Sequence, residues 1–305
     1  MIFLDSKTLE KLRLAGEIAQ KALKYAESLV KPNVKLLYVC EKIEEMIVKE
    51  GGKPAFPLNI SVNNIAAHYT SPPNDMRKLP SKGVVKIDLG VHIDGYIVDT
   101  ARTIILGGNY TKLVKAAKEA LDAAIQIIKD GVKVSEIGEV IEKNIVESGF
   151  KPIRNLTGHV MERYNLHTGI SIPNISTKFN LFSPKLKEDM IVAIEPFVTT
   201  GEKGIVIEAS EAHIYRLTKL TSPKTKLEER VVSFIYKRFK TLPFALRWMK
   251  NIVKPKKYKL VFQNLVKEKV LYRYPVLKDA DNGIVSQMED TILVKKNGCE
   301  VLTRK

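Results

Sequence analysis

Between Val84 and Leu106 the chain reads as an antiparallel hairpin apolar enough for a protein core, yet it carries a carboxylate in each arm. Val84, Val85, Ile87, Leu89 and Val98 predict buried arms, Val84 to Val91 and Tyr96 to Leu106, folded around Ile93-Asp94-Gly95. Asp88 lies in the first arm and Asp99 in the second. A turn from His92 to Gly95 pairs Val91 with Tyr96 and sets Asp88 directly opposite Asp99. A two-residue turn at Asp94-Gly95 instead sets Asp99 opposite Gly90, with Asp88 diagonal to it. Side chains alternate with a period of two, so either register puts both aspartates on one face. Facing carboxylates in a core repel each other, so one must hold a proton or a cation must sit between them. A solvated polar face is the alternative, and the apolar composition of both arms argues against it.

Three more residues share this conflict between polarity and surroundings: His159 in Leu156-Thr-Gly-His-Val160, Glu195 in Ile191-Val-Ala-Ile-Glu-Pro-Phe197 and Glu289 in Gln287-Met-Glu-Asp-Thr-Ile-Leu-Val294. Taken singly, each acid is explained as well by a solvent-facing strand position, and a lone histidine is more often structural than a ligand. Buried carboxylates are costly unless something neutralises them. Four carboxylates and one imidazole that converge make a site for hard or borderline divalent metals, and such a site is expected to be hydrolytic.

The 305 residues are 45% hydrophobic, which supports one large domain or two smaller ones. No apolar run approaches membrane-spanning length. The start, Met1-Ile-Phe-Leu-Asp-Ser-Lys, lacks the basic, apolar and small-residue pattern of a secretory signal. The two cysteines, Cys40 and Cys299, are far apart and read as small buried filler in a reducing compartment. A cytoplasmic, monomeric protein with no membrane partner is expected. The formal charge of +16 is not spread evenly: Arg216 to Arg273 holds 17 Lys or Arg against Glu228, Glu229 and Glu268, while the rest has 33 basic and 31 acidic residues. The basicity belongs to one segment.

Apolar spacing predicts two helices between Asp5 and Glu50, separated at Pro32-Asn33 and ended by Gly51-Gly52. Short strands at Leu58 to Val62 and Ala66 to Tyr69 precede the hairpin. Two more helices, Thr111 to Lys129 and Val134 to Ser148, lead into strand and loop at Gly158 to Thr168, Met190 to Thr199, Gly204 to Tyr215 and Gly283 to Lys295. Two helices followed by strands thus occur twice, which hints at internal duplication, although no clear sequence repeat is visible. From Leu217 to Leu271 the pattern changes to a small helical insertion: one helix over Val231 to Phe239 closed by Pro243, another over Phe244 to Ile252, and a third element from Leu260 to Val270.

Six segments in this order resemble motifs of the methionine aminopeptidases: Asn63-Asn-Ile-Ala-Ala-His-Tyr-Thr70, Asp88-Leu-Gly with Asp99, Asn155-Leu-Thr-Gly-His159, Tyr164-Asn-Leu-His-Thr-Gly169, Ala193-Ile-Glu-Pro-Phe197 and Gln287-Met-Glu289. The similarity covers essentially the whole chain, and the insertion before the last motif resembles type 2. The resemblance implies an α+β pita-bread fold with two pseudo-twofold halves, in a catalytic domain made of residues 1–215 and 274–305 and interrupted by a basic helical subdomain (216–273). It also implies two divalent ions (manganese, iron, cobalt or zinc) in the cleft. Asp88 then binds one ion, Asp99 and Glu289 bridge both, and His159 and Glu195 complete the other. Ions roughly 3.5–4 Å apart can share a water and lower its pKa towards ~7. The implied activity is removal of N-terminal methionine from nascent proteins and peptides, before a small second residue, by attack of the bridging hydroxide. Glu195 is the implied general base, His68 the residue beside the scissile amide and His167 the donor to its carbonyl oxygen. Phe56, Leu166, Phe197 and His213 match pocket positions by offset, with Tyr274 closing the pocket, and His92 is left as a surface residue.

Two other functions fit parts of the pattern. Proline dipeptidases and creatinase-type enzymes share fold and ligands, but they place a whole domain ahead of the first aspartate, where this chain has 87 residues. A non-catalytic binding protein on the same scaffold is the third reading, and here all five ligands are intact. The basic insertion suggests docking on ribosomal RNA, or else a lysine-rich solvated surface of a heat-adapted protein.

Overall fold

In the computed structural model, which describes residues 4–177, 182–219, 224–253 and 255–304, two helices open each half of the chain. The first half runs α1 (Ser6–Leu29), α2 (Leu36–Lys49), β1 (Lys53–Pro54), β2 (Asn59–Val62), β3 (Ile65–Ala67), β4 (Gly83–Ile93) and β5 (Tyr96–Gly107). The second runs α3 (Thr111–Ile127), α4 (Val134–Glu147), β6 (Lys151–Pro152), β7 (Thr157–Met161), β8 (Ser171–Pro173), β9 (Ile191–Ile194) and β10 (Phe197–Thr199). The long strand β11 (Val206–Leu217) leads into α5 (Lys226–Phe239), β12 (Phe244–Ala245), a 3-10 turn at Leu246–Met249 and α6 (Pro255–Lys267). Then β13 (Leu271–Asp279), β14 (Val285–Gln287), β15 (Asp290–Lys295) and β16 (Gly298–Val301) return to the body.

Alternation along the strands decides which way each half faces. In β4, Val85, Ile87, Leu89 and Val91 pack with α1 and α2 in one core, so Lys86, Asp88 and Gly90 lie on the opposite face. In the second half Val160, Val192, Ile194, Ile292 and Val294 pack with α3 and α4, leaving His159 and Ala193 on the other face. The helices are thus outside, and the two polar strand faces meet between the halves. The halves are joined where the chain leaves β14 for β15. Glu289 N donates to Ala101 O at 3.0 Å and Ala101 N to Glu289 O at 3.3 Å, while Asp99 N donates to Thr291 Oγ1 at 2.6 Å.

The hairpin adopts the shorter turn. Ile93 pairs with Tyr96, Gly90 with Asp99 and Asp88 with Ala101. Asp94 and Gly95 both take positive φ, 51° and 89°, as a two-residue type I′ turn requires. His92 is not the surface residue expected: it is buried, and its Nδ1 accepts from Gly95 N at 3.0 Å. Its burial lowers its pKa to about 4, so the ring stays neutral and keeps that acceptor. The predicted helix over Phe244 to Ile252 is also corrected. Phe244 and Ala245 pair with Tyr215 and Ile214 of β11, which takes their backbone groups into a sheet and leaves one 3-10 turn after them. Both cysteines are free, Cys40 buried and Cys299 partly so.

A buried charge pair ties the insertion to the first half. Arg247 bonds Glu44 of α2, and its Nη1 donates to Thr70 Oγ1 at 2.6 Å and Ser71 O at 3.0 Å. Glu44 also accepts from Leu58 N at 3.0 Å and Trp248 Nε1 at 2.9 Å. Removing one partner strands a charge that the fold has already desolvated. Arg247→Ala is expected to lower stability by about 3–5 kcal/mol in guanidinium unfolding; a loss below about 1 kcal/mol would show the pair to be solvated.

Candidate metal centre

The cleft between the halves holds a cavity of about 320 Å³, and Asp88, Asp99, His159, Glu195 and Glu289 all line it. They arrive on five different segments: β4, β5, β7, the Pro196 break between β9 and β10, and the junction of β14 with β15. The pairing of β7 with β9 sets His159 beside Ala193, two residues before Glu195. His159 Nε2 lies 3.5 Å from Asp99 Oδ2 and 3.6 Å from Glu195 Oε1. Asp99, His159 and Glu289 each offer a ligand atom within 4.8 Å of the others. Gln287, on the same face as Glu289 two residues away, donates Nε2 to Glu289 Oε2 at 3.3 Å.

The electrostatics are those of acids crowded out of water. Burial first, and Asp99 second, hold the Asp88 carboxyl well above the usual carboxylate range. Glu195 and Glu289 are raised by burial and then by the neighbouring acids. Burial alone raises Asp99, and it lowers the His159 imidazole to about 4. Asp88 Oδ1, Asp99 Oδ1 and Glu289 Oε1 are buried with no hydrogen-bond partner among the described residues. Unpaired carboxylate oxygens converging with a neutral imidazole are the donor set of a hard or borderline divalent ion. The residues present therefore fit such ions.

Around the acids the wall is mostly apolar. Phe56, Leu166, Phe197 and Tyr274 line the cavity, as do His68 and His167. Gly90, opposite Asp99, makes room for Phe56: a Cβ there would stand 2.4 Å from the phenyl ring. His68 has φ of 63°, a strained backbone for a non-glycine residue, and its Nδ1 lies 3.2 Å from Pro275 O. His167 packs edge-on to His159, ring centres 4.4 Å apart. His213 is not among the lining residues. Its Nε2 lies 3.0 Å from Glu211 Oε2 and its ring meets Tyr69, while the next residue, Ile214, lines the cavity. Two residues that the sequence pattern had not singled out for roles stand out here. Gln287 braces the acids, and its period-two spacing from Glu289 was the available signal. Ile214 differs from the expected position by one residue.

The sequence profile of metallopeptidase family M24 matches residues 10–213. A methionine aminopeptidase of Pyrococcus horikoshii is 45% identical over 97% of this chain and 99% of its own length. Among solved structures, a thermophilic Arx1 superposes with TM-score 0.85 at 20% identity, covering 98% of this chain and 91% of that one. A Thermotoga maritima methionine aminopeptidase superposes with TM-score 0.72 at 23% identity over the whole of both chains. These likenesses are to the pita-bread architecture described above.

Carboxyls held above their ordinary range by burial and by one another bind protons more readily, and a cation that binds them competes with those protons. Adding Mn(II) to metal-free protein near pH 7 is expected to release on the order of one proton per chain in weakly buffered solution. Binding without proton release would mean the acids are already ionised and solvated.

Proposed function

The chain belongs to metallopeptidase family M24, and from that premise we propose a type 2 methionine aminopeptidase whose five acid and imidazole residues hold two divalent ions. The chain is a metal-dependent hydrolase that removes N-terminal methionine. The type is supported by the helical insertion, α5 to α6, which interrupts the fold between β11 and β13. It supports a division into a catalytic domain, 1–215 with 274–305, and an insertion subdomain, 216–273. The observation that carries the residue-level reading is the convergence of Asp88, Asp99, His159, Glu195 and Glu289 in one cleft.

Two ions would be held by Asp88, Asp99, His159, Glu195 and Glu289 between them, with Asp99 and Glu289 serving both. When bound, such ions supply Lewis acidity towards the scissile carbonyl and an activated water. The remaining work falls to side chains. Glu195 takes the proton of the attacking water and passes it to the leaving amine. Pro275 O can only accept, so His68 Nδ1 carries the hydrogen and the neutral ring presents Nε2 as an acceptor for the substrate amide. His167 donates to the carbonyl oxygen as charge develops on it. Phe56, Phe197 and Tyr274 form an apolar slot for the methionine thioether, with Ile214 replacing His213 in that wall. A preference for a small second residue is part of the same reading, supported by the likeness to the methionine aminopeptidases. Asp99→Asn is expected to reduce activity by more than ~100-fold and to lose metal while the protein stays folded; near-native turnover would rule out its shared position. His68→Ala is expected to lower turnover by ~10²–10³ with metal content unchanged, and unchanged kinetics would return His68 to the core.

We also propose that the protein is a cytoplasmic monomer that meets nascent polypeptide N-termini at the ribosome through the basic insertion. Arg230, Lys237, Arg238, Lys250 and Lys257 are exposed there. Contacts to phosphate release counterions, so association should fall steeply with salt. Ribosome pelleting of the native protein should exceed that of a variant with these five residues changed to Glu; equal recovery would leave the insertion as a solvated surface.

A further inference from the structure

The β11–β13 ribbon does not stop at the cavity wall. Ile214 pairs with Tyr274, and both line the cavity; the next rung on the same face pairs Arg216 with Tyr272. Successive rungs of one face are ~7 Å apart, the span of two residues of an extended peptide. Arg216 is half-buried, with its guanidinium carbon 5.5 Å from the centre of the Tyr272 ring. Tyr272 is 46% exposed and meets Tyr274 edge-on with ring centres 5.0 Å apart. The Arg216 charge reaches inward as well: it is one of the influences lowering the pKa of His167 and offsetting the rise at Tyr274. Among the described residues Arg216 has no carboxylate within ion-pair distance. Tyr272 also lines a second groove, together with Lys219, Lys269, Arg273 and Glu208.

We propose that Arg216 and Tyr272 form a subsite at the mouth of the cleft that receives the third and fourth residues of the substrate polypeptide and favours acidic side chains there. The inference rests on the proposed placement of the scissile bond between His68 and His167. One rung beyond that bond, the emerging chain runs over the Tyr272 ring and under a half-shielded guanidinium. A carboxylate there gains a charge-assisted, fork-shaped contact. A lysine there meets a like charge. The contact forms on binding and is unchanged through the reaction, so it acts on KM more than on kcat.

Methionine release from three amidated peptides, Met-Ala-Glu-Glu-Gly-amide, Met-Ala-Gln-Gln-Gly-amide and Met-Ala-Lys-Lys-Gly-amide, tests this; the amide removes the terminal carboxylate as a rival anion. The native, metal-loaded enzyme is expected to favour the Glu over the Lys peptide by about fivefold or more in kcat/KM at low salt. The ratio should shrink towards one in 1 M salt, where the Debye length is ~3 Å. Arg216→Gln should bring it close to one at low salt, while Lys112→Gln, exposed on α3, should leave the ratio unchanged. Equal rates for the three peptides on native enzyme, or an undiminished ratio in Arg216→Gln, would overturn the subsite and leave the aminopeptidase reading standing. No methionine release from any peptide would remove both.

Discussion

Like charges gathered out of water are the constraint around which this fold is arranged. Four carboxyls and an imidazole line one cavity, burial raises all four acids, and three of their oxygens lack hydrogen bonds among the described residues. An apolar core of the same shape would be easier to build. The arrangement makes sense for a chain whose native state is completed by cations, where the crowding that destabilises the metal-free site becomes affinity. The M24 membership and the metal-dependent removal of methionine are consistent with that balance.

The surrounding structure serves to hold the acids in place. Each half packs its helices on the outer face of its strands, so that the inner faces can be polar without breaking either core. The backbone bridge between Ala101 and Glu289 couples the halves at the site itself, and Thr100 Oγ1 and Arg102 Nη1 both donate to Glu289 O, at 2.8 and 2.6 Å. Glu289 is thereby fixed relative to Asp99 by main-chain geometry. The insertion reaches the same region from the other side, through Arg247 and the Thr70-Ser71 segment that follows His68. A subdomain that looks peripheral in sequence is thus anchored next to a catalytic candidate.

Much of this was legible from residue order. Strand alternation put Asp88 and Asp99 on one face in either register, and helical spacing placed the four helices of the two halves to within a few residues of Ser6–Leu29, Leu36–Lys49, Thr111–Ile127 and Val134–Glu147. Where the reading failed, a tertiary partner decided the outcome. Phe244 to Ile252 has helical spacing, but the edge of β11 was available to its first two residues. His213 and Ile214 could not be told apart because β11 is irregular, with register shifts between Glu208 and Ala212 and again between Ala212 and Ile214. A one-residue slip there exchanges the faces of the strand. His92 looked like a turn residue because the bond from Gly95 N that buries it depends on the shorter turn.

The central claim is that these five side chains enclose a pair of ions within one cluster. Electron paramagnetic resonance of the metal-free protein titrated with Mn(II) tests it directly. The account predicts that at two equivalents the spectrum becomes that of an exchange-coupled pair, because carboxylates shared by both ions link their spins. A spectrum of isolated Mn(II) ions that merely grows with each equivalent would contradict it.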